Sequence, residues 1–235
     1  MTHLAGKGAI VTGGTGALGT VVVRRLLDEG IKVSVSYRRV DELEVFQDSN
    51  QRSLTPIQCN VTVESQVQRL FDEAFHAMGR IDIVVNTVGG FLPRKSITDV
   101  TVDEWDHMMS VNLKSTFLCT REALRRMENQ TYGRIINISA MVGLNPSPGR
   151  APYAISKSGV SLLTAITAQE RKGSGITVNA IAPSIIDTRA NRKSMPEEDF
   201  SRWVKPENIA DIVCYLCSEA AADVTGTTIK AFGGL

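Results

Sequence analysis

Thr12-Gly13-Gly14-Thr15-Gly16-Ala17-Leu18-Gly19 is the stretch on which the reading of this chain turns. It follows the apolar, β-branched run at residues 9–12 and leads directly into a helical pattern over residues 17–29. Glycines at such a junction permit a tight bend and close backbone approach, so amides at the helix N-terminus can hold a pyrophosphate. Alone, a glycine-rich turn serves packing as readily as phosphate binding. Its place between the first strand and the first helix is what points to a dinucleotide.

Beyond it, apolar runs at 31–37, 56–59, 81–86, 134–139, 176–182 and 228–232 bring the predicted strands to seven. Between them, helical periodicity covers 63–78, 103–127, 152–172 and 206–219, with a weaker pattern after Asp41. Strands alternating with helices imply right-handed crossovers and a parallel sheet covered on both faces. The expected fold is α/β, Rossmann-like and doubly wound, with seven strands. No repeat or low-complexity linker divides residues 1–235, which are expected to form one dinucleotide-binding and catalytic domain. The polar stretch 185–203 follows a strand end, where open α/β sheets bind ligands, and is expected to act as a substrate lid. Within it, Ser194 and Glu197 stand at capping-box spacing around Pro196, which predicts a short helix starting there.

Composition narrows the partners. Lys and Arg number 26 against 25 Asp and Glu, a formal net charge of +1, so no excess field draws the chain to nucleic acid or to a membrane surface. A small-molecule partner is expected. The first apolar stretch is too short for a secretory signal and no run approaches membrane-spanning length, so the expected location is cytoplasmic. Cys59, Cys119, Cys214 and Cys217 all sit among apolar residues, and the C-x-x-C at 214–217 falls on an apolar helix face, which reads as packing. His3, His76 and His107 are scattered, so no metal site is predicted.

Candidate chemistry falls on four residues. Tyr153 and Lys157, four residues apart on a predicted helix, project from one face, where an ammonium beside a phenol favours the phenolate. Taken alone, the pair also fits a solvated helix face. Ser139 ends a predicted strand, placing a hydroxyl where it can meet a substrate carbonyl oxygen or simply cap the strand. Asn112 interrupts the apolar pattern around Val111 and Leu113, and an asparagine in mid-helix either faces solvent or makes a backbone bond.

Together, the stretch 12–19, Asn86-Thr87-Val88-Gly89, Asn112, Ser139 and Tyr153-x-x-x-Lys157, in this order and spacing, resemble the short-chain dehydrogenase/reductases. The resemblance runs through Pro183 and Thr188 to Thr225-Gly226 and Gly233-Gly234, essentially the whole chain. It implies that Tyr153 exchanges a proton with the carbonyl oxygen and that Lys157 lowers its pKa and holds the nicotinamide ribose. It further implies that Ser139 orients the substrate and Asn112 supports a water relay. Cofactor contacts are implied for Gly13, Thr15, Gly16, Leu18, Gly19, Tyr37, Arg38, Arg39, Asn60, Val61, Asn86, Gly89, Tyr153, Lys157, Pro183, Ile186 and Thr188. Ala17, Asn60 and Ser184 depart from the usual glycine, aspartate and glycine of the short members. The resemblance also implies a homo-oligomer, a tetramer or dimer, joined through the helices at 103–127 and 152–172.

The second strand ends in Ser36-Tyr37-Arg38-Arg39, and no carboxylate occurs from Ile31 to Val40. Arginine suits a 2′-phosphate, so NADP(H) is the expected cofactor, with NAD(H) possible if both arginines are solvated. For substrate, residues 133–179 resemble the 3-oxoacyl-acyl-carrier-protein reductases. The lid, from Asp187-Thr188 through Asn191-Arg192-Lys193-Ser194-Met195-Pro196-Glu197 to Asp199-Phe200-Ser201 and Trp203, is similar to that of quinoid dihydropteridine reductases. Those enzymes usually lack the serine that Ser139 supplies and carry an acid for NADH where Tyr37 stands. The expected activity is therefore NADPH-dependent reduction of a carbonyl, a 3-oxoacyl thioester first and a quinoid dihydropterin second. A non-catalytic redox sensor is the remaining reading, against which the complete Asn-Ser-Tyr-Lys set weighs.

Overall fold

The computed structural model describes residues 4–48 and 52–235, so His3 lies outside the described residues. Among the described residues seven strands are present: β1 (Gly8–Thr12), β2 (Lys32–Tyr37), β3 (Leu54–Gln58), β4 (Ile83–Asn86), β5 (Gly133–Ile138), β6 (Ile176–Pro183) and β7 (Thr228–Ala231). All pair in parallel, in the order β3-β2-β1-β4-β5-β6-β7. The connections reverse direction between β1 and β4, which opens a crevice beyond the strands' carboxyl ends.

The α-helices among the described residues are α1 (Ala17–Asp28), α2 (Glu64–Met78), α3 (Val102–Met108), α4 (Ser115–Arg126), α5 (Met141–Leu144), α6 (Ala151–Glu170), α7 (Arg189–Ser194) and α8 (Pro206–Cys217). Period-two alternation divides each central strand between two cores. Ala9, Val11, Ile83, Val85, Ile136 and Ile138 pack with residues of α1 and α8, whereas Ile10, Val84 and Ile135 pack with those of α2 and α4. Cys214 and Cys217 belong to the first of these cores, and burial pushes the Cys214 thiol up to about 11. Among the described residues, no group of three or more His, Cys, Asp or Glu could hold a metal ion, and no helix is long and apolar enough to cross a membrane.

Three local features differ from the sequence reading. The weak pattern after Asp41 is a 3₁₀ helix, Val40–Phe46. The helix expected over 103–127 is divided by a π-helical turn, Met109–Lys114, in which the Ser115 N–H donates to the Ser110 carbonyl. In the stretch 185–203 a short helix is present, but Ser194 is its last residue. Its cap is Thr188, whose side chain accepts from the Asn191 N–H at 3.1 Å.

The glycine-rich turn is packed against itself. Gly13 adopts φ +66°, a region that favours glycine. A Cβ on Gly19 would lie 2.2 Å from the Gly13 carbonyl oxygen and 2.7 Å from Gly14 Cα, both backbone atoms that cannot yield without moving the turn. Gly19→Ala is therefore expected to cost about 1–3 kcal/mol in urea unfolding, the range for overpacking. Gly16→Ala, whose nearest contact would be 3.3 Å, is expected to cost less than half as much.

Candidate active site

At the carboxyl edge of the sheet a cleft of about 400 Å³ is lined by Gly13, Thr15, Gly16, Ser36, Tyr37, Arg38, Glu42, Cys59, Asn60, Val61, Thr62, Thr87, Val88, Gly89 and Val111. Eight of the residues expected at the cofactor are here, namely Gly13, Thr15, Gly16, Tyr37, Arg38, Asn60, Val61 and Gly89. The cleft straddles the β1/β4 switch point, and the missing side chains of its glycines leave room for a dinucleotide to approach the backbone. A Cβ on Gly89 would stand 3.2 Å from both Asn112 Oδ1 and Lys157 Nζ, so at this point the backbone itself borders two expected catalytic groups. These residues fit a nicotinamide dinucleotide.

The other expected cofactor residues do not line this cleft. Leu18 is buried in the core, and Gly19 packs on Gly13. The Asn86 side chain is buried, accepting from Thr12 Oγ1 at 3.3 Å and donating to Asn137 Oδ1 at 2.9 Å. Arg39 is exposed and ion-paired with Asp41 at 3.2 Å. Pro183 ends β6, Ile186 pairs with Val204, and Thr188 caps α7. Glu42, absent from the sequence reading, lines the cleft; its carboxylate comes back from the 3₁₀ helix after β2.

The expected catalytic residues converge on α6. Lys157 is buried, its Nζ donates to the Ile138 carbonyl at 2.7 Å, and burial lowers its pKa to about 8. Asn112, fully buried in the π-helical turn, accepts from the Gly90 N–H at 2.8 Å and donates to the Gly90 carbonyl at 3.2 Å and to Ser156 Oγ at 3.0 Å. It thereby ties the loop after β4 to α6. Tyr153 meets Phe91 edge to face at 5.6 Å, and its hydroxyl makes no hydrogen bond among the described residues.

Tyr153 and Ser139 have surroundings that the sequence alone does not show. Burial raises the Tyr153 pKa, and the cation that acts against this is Arg150, at the start of α6, while the Lys157 charge is engaged by the Ile138 carbonyl. Ser139 donates to the Lys157 carbonyl at 2.9 Å and accepts from Ser161 Oγ at 2.9 Å. The reason is the strand's alternation: Ile138 faces the α1/α8 core, so Ser139 turns to the opposite face and into α6. To polarise a substrate oxygen its hydroxyl would have to leave the Lys157 carbonyl, and the following residue is Ala140.

The stretch 185–203, expected to act as a lid, is anchored where it leaves and rejoins the domain. The Val204 N–H donates to the Ile185 carbonyl at 2.9 Å, and Arg202 donates to the Gly234 carbonyl at 2.7 Å. Trp203 is 5% exposed and packs into the domain, with Phe200 against it at 4.7 Å. Of these two aromatics, Phe200 is the one left half-buried at the surface.

Comparison with known proteins agrees with this geometry. Residues 7–199 match the family described as short chain dehydrogenase. The 3-oxoacyl-acyl-carrier-protein reductase FabG of Thermotoga maritima is 32% identical over 246 residues, covering 99% of each chain. Among solved structures, levodione reductase superposes with a TM-score of 0.91 at 29% identity, covering 98% of this chain and 97% of its own. ElxO with NADP bound gives 0.90 at 27% identity, covering 100% and 98%. The chain belongs to the short-chain dehydrogenase/reductase family and is an NAD(P)-dependent oxidoreductase.

Proposed function

We propose that the protein reduces a carbonyl to an alcohol with NADPH, and that its substrate is a 3-oxoacyl thioester. The observation that carries the reaction is the Tyr153 hydroxyl, free of partners among the described residues, one helical turn from an ammonium fixed on the end of β5. The relatives of the FabG type, aligned over nearly the whole chain, support the substrate class. Arg38 in the cleft, and ElxO with NADP bound, support the cofactor.

When bound, the nicotinamide supplies the hydride. Tyr153 Oη gives its proton to the carbonyl oxygen as the alcohol forms. Arg150 favours the phenolate left behind, Lys157, fixed on the Ile138 carbonyl, would hold the nicotinamide ribose, and Asn112 keeps the Gly90 backbone in place. Ser139 positions Lys157 through its carbonyl, and it orients substrate only if its hydroxyl turns away from α6. The lid at 185–203 closes over the substrate from its anchored root and excludes water. All of this takes place in one domain, in the cytoplasm.

A second reading, reduction of a quinoid dihydropterin, is favoured by the Ser139 geometry. The serine that separates this chain from those enzymes is turned into the fold. Purified protein with NADPH is expected to reduce acetoacetyl thioesters, and inert thioesters alongside rapid reduction of quinonoid dihydropterin would reverse the order. In either assay Tyr153→Phe is expected to lower kcat about 10²–10⁴-fold while the cofactor Kd is unchanged.

The pKa directions set a pH profile. Reduction needs a protonated Tyr153, whose pKa is raised, and a charged Lys157, which loses its proton near pH 8. The kcat/KM for reduction is expected to be flat below neutrality and to fall above about pH 8, and Lys157→Met should abolish that limb along with most activity.

The oligomer is proposed from exposed apolar side chains: Phe117 on α4 and Ile155, Leu162 and Ile166 on α6, of which Leu162 is 62% exposed. An isologous contact between copies would cover them. Sedimentation at micromolar concentration is expected to show a tetramer or dimer, with Leu162→Glu shifting it to monomer.

A further inference from the structure

The end of β2 presents two features that dinucleotide folds normally use as alternatives. An acid there accepts from the adenosine ribose hydroxyls, and an arginine there accommodates a 2′-phosphate. Arg38 and Arg39 follow β2 directly, and one turn of the 3₁₀ helix then carries Glu42 back to the same cleft. Glu42 Oε2 accepts from Thr15 Oγ1 at 2.9 Å and from the Arg38 N–H at 3.1 Å, and Oε1 lies 3.8 Å from Arg39 Nη2. A hydroxyl from the glycine-rich turn, an amide from the strand end and a guanidinium thus converge on one anionic group. The side chain is only 22% exposed. Burial pushes its pKa up, but the hydrogen bonds from Arg38 and Thr15 and the Arg39 charge outweigh this and hold it below the usual range, so it is a carboxylate at neutral pH.

We propose that Glu42 sets the cofactor choice by competing with the adenosine 2′-phosphate for Thr15, the Arg38 amide and Arg39. A phosphate can take those three donors only if the carboxylate leaves them, and two anions cannot share them without repulsion. The ribose of NADH poses no such conflict, because its 2′-hydroxyl can donate to the carboxylate. Glu42 therefore holds the preference for NADPH below what the arginines alone would give. The proposal rests on the assignment of this cleft to the adenosine end of the cofactor.

Glu42→Gln tests it with little change of shape, since the amide oxygen still accepts from Thr15 and the amide N–H can donate to phosphate. Calorimetric titration with 2′,5′-ADP and 5′-AMP at fixed salt reads the contact directly, without turnover. The variant is expected to raise the ratio of 2′,5′-ADP to 5′-AMP affinity by at least about tenfold over the starting protein. A ratio unchanged within about threefold, roughly 0.7 kcal/mol, overturns the proposal. Glu42→Asp, too short to reach both donors, is expected to move the ratio the same way and serves if the amide variant melts early. The starting protein's own ratio separates the two ideas: equal affinities with a rise in the variant would remove the NADPH reading and keep Glu42 as the determinant. Strong preference for 2′,5′-ADP with no change in the variant would do the reverse.

Discussion

A line of buried hydrogen bonds at the carboxyl edge of the sheet holds the site in register. Thr12 on β1, Asn86 on β4 and Asn137 on β5 are linked side chain to side chain, and Asn137 continues to Thr164 on α6 at 2.9 Å. All four are almost inaccessible to water. A buried amide left without a partner costs about 1–3 kcal/mol, so sliding any one strand by a residue would break several such bonds at once and move its apolar side chains to the wrong core. The strand ends that carry Gly13, Thr87 and Ser139 are positioned because this line admits one register.

The same logic makes α6 the keel of the active site. Tyr153, Ser156, Lys157, Ser161 and Thr164 recur at helical spacing and present a polar stripe to the strand ends. Ser156 receives Asn112, Lys157 holds the Ile138 carbonyl, Ser161 meets Ser139, and Thr164 meets Asn137. Each bond ties the helix to the sheet edge or to the π-helical turn. Tyr153 stands in the first turn of a helix that these bonds clamp further along, so its hydroxyl is set by the frame and makes no hydrogen bond of its own among the described residues.

The strands, the glycine-rich turn and the Tyr153–Lys157 pair are legible in the sequence because each depends on local spacing. The features that are not legible depend on direction. Ser139 stands at the end of β5 as its place in the apolar run implies, but which core it faces follows from the phase of the strand, and that phase turns it into α6. Glu42 lies only four residues past Arg38, outside any strand-end pattern, and reaches the cleft because a 3₁₀ helix reverses the chain there. Arg150 is three residues before Tyr153 and acts on it through space. In the stretch 185–203, Thr188 takes the capping role over Ser194 because its backbone is extended where the helix begins.

The π-helical turn between α3 and α4 bears on how this site can change. Within it the Val111 and Asn112 carbonyls accept from the hydroxyls of Ser115 and Thr116, at 2.6 and 2.7 Å. In effect one extra residue is wedged into an otherwise regular rod. Each residue of an α-helix rotates the remainder of the rod by about 100°, so removing one residue here would restore regular winding while swinging Asn112 or the whole of α4 off its bearing. Asn112 would lose Gly90, or α4 would lose its seat on the sheet. The segment behaves as a shim of fixed thickness: substitutions within it can be graded, but its length is all or nothing.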